Sequence, residues 1–274
     1  MRRRSNFKTA TWILSCLVIV QTVIIFLLAA SRQQPNRQQP KKVLPKKTVH
    51  RAVVPSKGKI AIVLDDFGYN MNNLPLLKFI KEPLTVSILP NLAYSQTVAE
   101  KLSALGFEVI LHLPLEPKEK YRLEKDTILI SMKEQKIRGI LSRALENVPF
   151  VKGVSNHMGS RATEDERTMS IILDELKKRK LYFLDSLVTG ASVCSSLSKK
   201  IGVRFAQRNI FLDNEQDADY IKQQLDKLKN KAERLGQAIG IGHDRKTTIE
   251  VLKEVIPKFK KMGFEFVYVS DLVR

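Results

Sequence analysis

From residue 59 onward, short apolar runs alternate with amphipathic stretches. Residues 60–64 (IAIVL) are apolar at every position, which suits a strand covered on both faces of a parallel sheet better than one half exposed to water. Further runs at 84–89 (LTVSIL), 107–113 (FEVILHL), 153–157, 182–184, 210–212, 238–241 and 264–269 read as strands of the same kind. Between them, residues 73–80, 94–105, 133–147, 164–179, 218–235 and 246–262 have helical spacing, with Pro83 and Gly106 closing the first two. Residues 114–130 are polar and aperiodic, as in an insertion or lid. Seven or eight βα units, with no glycine-rich phosphate loop after the first strand, predict an α/β fold: a distorted (β/α)7–8 barrel rather than a dinucleotide-binding sheet.

The N-terminal part is patterned differently. Residues 1–8 carry Arg2, Arg3, Arg4 and Lys8, and residues 9–30 then run for 22 positions without a charge. A bilayer core of about 30 Å is crossed by about 20 such residues as a helix. The run is longer than the apolar region of a cleaved signal peptide, so an uncleaved anchor is expected in preference to cleavage near Ala29-Ala30-Ser31. The basic N-terminus is expected in the cytoplasm and the rest of the chain in the periplasm or outside. Residues 31–58, rich in Pro, Gln and Lys, read as a disordered tether, and residues 59–274 as the folded domain.

This division changes the meaning of the charge. The chain of 274 residues has a net charge of +19, but twelve of its 47 basic residues and none of its 28 acidic ones lie in residues 1–58. The remainder holds 35 basic against 28 acidic residues, dispersed and without interleaved aromatics, so no nucleic-acid partner is expected. Cys16 and Cys194 form no disulfide framework.

The candidate chemistry lies where the strands end. Asp65 and Asp66, Asn91, His112, Asn156 and His157, Asp185, Asp213 and His243 each close or follow an apolar run, and the fourth histidine, His50, lies in the tether. In a parallel barrel those ends converge on one face. Adjacent carboxylates repel one another and resist desolvation, and a bound cation offsets both. Two imidazoles and a carboxylate suit a divalent ion such as Zn²⁺, whose chemistry, lowering the pKa of water and polarising a carbonyl, serves amide or ester hydrolysis.

LDDFG (64–68), SILPN (87–91), LHLPLEP (111–117), NHMGSRAT (156–163), FLDS (183–186), RNIFLDN (208–214) and GIGH (240–243) together resemble the divergent polysaccharide deacetylase family, a distant branch of the polysaccharide deacetylases. The resemblance implies a deacetylase-type barrel and a divalent metal, with Asp65 as catalytic base and Asp66, His112 and His157 as metal ligands. It implies His243 as the acid for the leaving group; Asn156, Ser160 and Arg161 are read as groups that orient the substrate or its oxyanion, with pairing to a neighbouring acid as the alternative for Arg161. Asp185 and Asp213 are expected at the substrate site, behind a histidine and fixing its tautomer, or equally in a structural role at a strand end. The chain lacks the superfamily's His-x-x-x-His segment, and Asp244-Arg245 stand where the branch often carries prolines after the late histidine. The expected activity is metal-dependent deacetylation of an acetylated glycan or peptidoglycan-derived substrate by a membrane-anchored enzyme. The alternative is a module of the same fold that binds or scaffolds wall components without turnover.

Overall fold

The computed structural model describes residues 20–29 and 56–274. The chain divides into two units, residues 1–53 and 54–274. In the first, residues 20–29 form a helix (α1) whose apolar side chains, Phe26 among them, are exposed. Among the described residues no helix is long and apolar enough to cross a membrane. Most of the expected span, residues 9–19 and 30, lies outside the described residues, as do the basic segment 1–8 and tether residues 31–55.

The second unit begins β1 (Lys59–Phe67), α2 (Leu74–Leu77), β2 (Thr85–Ile88), α3 (Ser95–Ala104), β3 (Glu108–Leu115), α4 (Glu134–Asn147) and β4 (Gly153–Met158). It continues α5 (Glu166–Lys178), β5 (Tyr182–Asp185), α6 (Cys194–Ile201), β6 (Phe205–Gln207), β7 (Ile210–Phe211), α7 (Ala218–Leu235), β8 (Gln237–His243), α8 (Lys246–Lys261) and β9 (Glu265–Phe266). Helix α6 and strand β6 were not foreseen from the pattern, because Cys194–Ile201 is short and β6 is only partly buried. Residues 116–133 hold no helix or strand, in keeping with their aperiodic sequence.

All pairings in the sheet are parallel, in the order β6-β5-β4-β3-β2-β1-β8-β7, with β9 beside the start of β1. The sheet curls into a half-barrel. Its two ends, β6 and β7, are consecutive pieces of one stretch that leaves β5 and joins β8 across Arg208 and Asn209. There the Arg208 N–H donates to the Asp185 carbonyl at 2.9 Å and the Asn209 N–H to the Ile239 carbonyl at 2.8 Å. The seam is therefore spanned by a single segment rather than by a ladder.

Curling explains why the strands are apolar at every position. Ile60, Ile62 and Leu64 pack outward under the helices, while Ala61 and Val63 point inward with Ile110, Leu184, Ile239 and Ile241. Each fully buried aliphatic side chain contributes about 1.5–3 kcal/mol. All the buried apolar side chains among the described residues lie between Ile60 and Leu272, so the second unit carries a complete core of its own. Its floor is closed by Val267, Val269 and Leu272, and the Phe205 and Arg274 backbones exchange hydrogen bonds of 2.9 and 3.2 Å there. Above them the buried Glu108 carboxylate accepts from Thr85 Oγ1 at 2.8 Å, Tyr182 OH at 2.9 Å and the Ser270 N–H at 3.2 Å.

The Tyr182 ring lies across Gly153, where an added Cβ would meet it at 2.4 Å. Gly153→Ala is expected to destabilise residues 54–274 by about 1–3 kcal/mol through overpacking. Urea unfolding should show a lower midpoint with an unchanged slope, whereas Gly190→Ala, with nothing within 4 Å of its added Cβ, should leave the midpoint in place.

Candidate active site

The paired aspartates reach one site because β1 bulges. Leu64 is in register with Val86 and Phe67 with Ile88, so Asp65 and Asp66 together stand opposite the single residue Ser87. A regular strand would send adjacent side chains to opposite faces. Here Asp66 takes φ 66° and Gly68 φ 123°, and both carboxylates are available at the carboxyl end of the strand. Asp is among the few side chains that adopt the left-handed region readily, at a cost on the order of 1–3 kcal/mol.

His112 on β3 and His157 on β4 converge on Asp66. His112 Nε2 lies 3.3 Å and His157 Nδ1 3.1 Å from the same Asp66 Oδ1, and the two rings meet edge to face at 5.0 Å. The other His112 nitrogen, Nδ1, is held 2.7 Å from Ser155 Oγ, which is 2.7 Å from Ser87 Oγ, so Nε2 is the atom directed into the site. Burial works against the Asp66 charge, but hydrogen bonds and attraction from both histidines outweigh it and hold the carboxyl well below the usual range. Asp65 behaves in the opposite way. It is 2% exposed, and burial, reinforced by the nearby Asp66 and only partly opposed by His112, raises its pKa.

These residues fit a divalent metal. One carboxylate oxygen and two imidazole nitrogens, from Asp66, His112 and His157, lie within 4.8 Å of one another. Beside them the buried Asp65 Oδ1 has no hydrogen-bond partner, a costly state for a carboxylate that a cation or a water relieves. The Ser155–Ser87 pair behind His112 is the kind of support that fixes a metal-binding imidazole.

His243 stands beside Asp65, its register partner on the neighbouring strand. Asp213 lies beneath it: Oδ1 is 2.7 Å from His243 Nδ1, while Oδ2 accepts from the His243 N–H at 2.9 Å and Thr248 Oγ1 at 2.7 Å. Nε2 is thereby the nitrogen left for chemistry. Burial disfavours charge on both partners, yet their mutual hydrogen bond and attraction raise the His243 pKa and lower that of Asp213. The Phe211 ring stacks on His243 at 6.0 Å, and the Arg208 guanidinium lies 3.6 Å over Phe211 while donating to the Ser186 and Leu187 carbonyls at 2.6 and 2.7 Å.

The remaining expected residues lie in the supporting turns. Asn156 joins β4 to the turn after β5, donating to the Met158 carbonyl at 2.8 Å and accepting from the Ser186 N–H at 2.8 Å. Ser160 donates to Glu119 at 2.9 Å and Arg161 to Glu116 at 3.0 Å, both at the root of the irregular segment after β3. Asp185 accepts from the Leu187 N–H at 2.8 Å and Ser192 Oγ at 2.6 Å, and burial raises its pKa. Tyr69 adds a tie across the mouth, donating its hydroxyl to Glu124 of the same segment. Sequence reasoning missed Ser87, Ser155, Arg208, Phe211 and Thr248. For the two serines the signal was available: each is a polar residue inside a buried strand, and Ser155 shares its face with His157 by the two-residue period.

Residues 62–273 match the family described as divergent polysaccharide deacetylase. YibQ, an uncharacterized protein of Escherichia coli K12, is 35% identical over 199 residues, covering 73% of this chain and 62% of its own length. The chain therefore matches less than two thirds of that relative. The crystal structure of ATU2773, an uncharacterized protein of Agrobacterium tumefaciens C58, aligns with a TM-score of 0.76 at 24% identity over 80% of this chain and 91% of that one. A T48 deacetylase solved with substrate aligns with a TM-score of 0.50 at 12% identity, over 78% of this chain and 90% of the other. The two structures share the curled parallel fold, and the sequence match assigns the lineage: the chain belongs to the divergent polysaccharide deacetylase family.

Proposed function

We propose that the protein is a metal-dependent deacetylase, tethered to the cytoplasmic membrane through residues 9–30, that hydrolyses N- or O-acetyl groups on an envelope glycan. The observation that carries this reading is the buried Asp65, with one carboxylate oxygen unpartnered, between a two-histidine, one-carboxylate cluster and the Asp213-backed His243. Asp66, His112 and His157 would hold a divalent cation, Zn²⁺ by the softness of the donors, which when bound supplies Lewis-acid polarisation of the acetyl carbonyl and of water.

The residues divide the proton work. Asp65, whose burial raises its proton affinity toward that of a useful base, accepts a proton from the attacking water. His243 enters protonated, because Asp213 stabilises its cation, and gives a proton from Nε2 to the departing amine nitrogen or alkoxide oxygen. The water oxygen joins the acyl carbon, the C–N or C–O bond breaks, and acetate leaves with the deacetylated sugar. Phe211 and Arg208 pack behind the imidazole and exclude water from that side. Asn156, Ser160 and Arg161 order the turns that border the substrate.

Three outcomes are expected of residues 54–274. Asp65→Asn should retain metal while losing acetate release from acetylated chito-oligomers or peptidoglycan fragments by about 10²–10⁴-fold. Metal retained by the wild-type domain without release from any such substrate would favour the binding module instead. Ser155→Ala, measured by competitive chelator titration, should weaken metal binding by about 10–100-fold through the freed His112 ring.

The third outcome concerns pH. The raised His243 pKa contributes stability that is complete below its ordinary value of 6.5 and lost as pH rises through the higher folded value. The lowered Asp213 pKa contributes stability that is complete above 3.8 and lost as pH falls through the lower folded value. Activity should accordingly fall on an alkaline limb above 6.5, and Asp213→Asn should move that limb to lower pH, since burial disfavours the imidazolium and only the attraction of Asp66 and Asp65 then opposes it. An unmoved limb would assign it to another group.

A further inference from the structure

The face of the barrel opposite the candidate active site carries a cavity of 630 Å³ between the ends of α3, α4 and α5 and the start of β3. Helices of a βα barrel run antiparallel to its strands, so every helix ends on this face. Lys152, Arg179, Lys180 and Arg204 line the cavity. Arg179 pairs with Glu175 at 2.8 Å, but among the described residues Lys152, Lys180 and Arg204 have no acidic partner. The one carboxylate in the lining, Glu108, is engaged by Thr85, Tyr182 and Ser270. Favourable interaction with helix dipoles accounts for lysines in a last turn, as on α5, but not for Lys152, which follows no helix directly.

Apolar groups stand exposed on the same face. Phe150, on the cavity rim, is 57% exposed and held at φ 66°, a conformation strained for an aromatic residue and not repaid by burial. Leu105, Leu235 and Met262, each at the end of a helix, are also exposed. The chain arrives on this face as well: the Lys57 N–H donates to the Gly263 carbonyl at 3.0 Å, next to Met262. The 58 residues leading up to β1 hold twelve basic and no acidic side chains.

We propose that this face rests on an anionic phospholipid surface, with lipid phosphate in the Lys152–Lys180–Arg204 cavity and Phe150 entering the headgroup–acyl boundary. Charge selects anionic over neutral lipid, exposed apolar side chains on the same face match an interface rather than a soluble anion, and the arriving chain is continuous with the face. The candidate active site then points away from the bilayer, towards polymer. The inference stands on the opposite face and survives if the hydrolase reading fails.

The test is co-sedimentation of residues 54–274 with phosphatidylcholine vesicles, with and without phosphatidylglycerol. The expected result is binding to the anionic vesicles only, weakened by salt, and reduced about fivefold for each of Lys152→Gln and Lys180→Gln. Phe150→Ser should also reduce binding with the thermal midpoint unchanged or raised, which separates lost contact from lost folding. Equal binding to neutral vesicles, or anionic binding that survives the double lysine variant, would overturn the proposal. So would titratable binding of soluble glycerol phosphate in the absence of vesicle binding, which would make the cavity a site for a free phosphorylated ligand.

Discussion

Two carboxylates sit next to one another at the buried end of β1, and much of the surrounding structure answers the electrostatic problem this creates. An isolated pair in that position would favour protonation or unfolding. The protein separates their fates instead. Asp66 turns into the left-handed region and takes up both histidines, which keep it ionised. Asp65 remains in the regular strand, buried and short of partners, with raised proton affinity. A single extra residue in the strand thus gives two identical side chains opposite electrostatic fates.

The support behind them is polar but closed. Ser87 and Ser155 bond to one another and orient His112, so three strands contribute to one ring position. Asp213 is used by the His243 ring, the His243 backbone and Thr248, which ties both of its oxygens to the scaffold. Lower in the barrel, Glu108, Thr85 and Tyr182 form a separate network that packs against Gly153 and the closing residues of the chain. Each network is complete within itself, as buried polar groups must be to avoid a penalty on the order of 1–3 kcal/mol apiece.

Periodicity carried the fold a long way. Fully apolar strands separated by amphipathic helices specify parallel βα units, and polar residues at their ends mark the active face. The pattern did not reveal β6 or α6, since short elements at a seam bury little and leave no period. Nor did it reveal the bulge: alternation taken literally places Asp65 and Asp66 on opposite faces, and only Gly68 hints that the backbone departs from a regular strand there. Asp213 was legible as a strand-end acid, but its pairing with His243 depends on β7 pairing with β8, some thirty residues further along the chain. Arg208 was visible only as part of a motif; its contact with Phe211, and through that ring with His243, arises on the segment that bridges β6 and β7.

The register that makes Asp65 and His243 direct neighbours has a mechanical meaning. Adjacent parallel strands are held about 4.8 Å apart by their backbone ladder, the least compliant distance in a sheet. The gap between Asp65 and His243, across which the proposed mechanism takes and returns a proton, is consequently set by the scaffold and owes nothing to the loops. The irregular segment after β3, anchored by Glu116, Glu119 and Glu124, borders the same mouth without belonging to that ladder. The site proposed for catalysis and its rim therefore reside in separable parts of the chain, and the rim can change in length and composition while the spacing of Asp65 and His243 is kept.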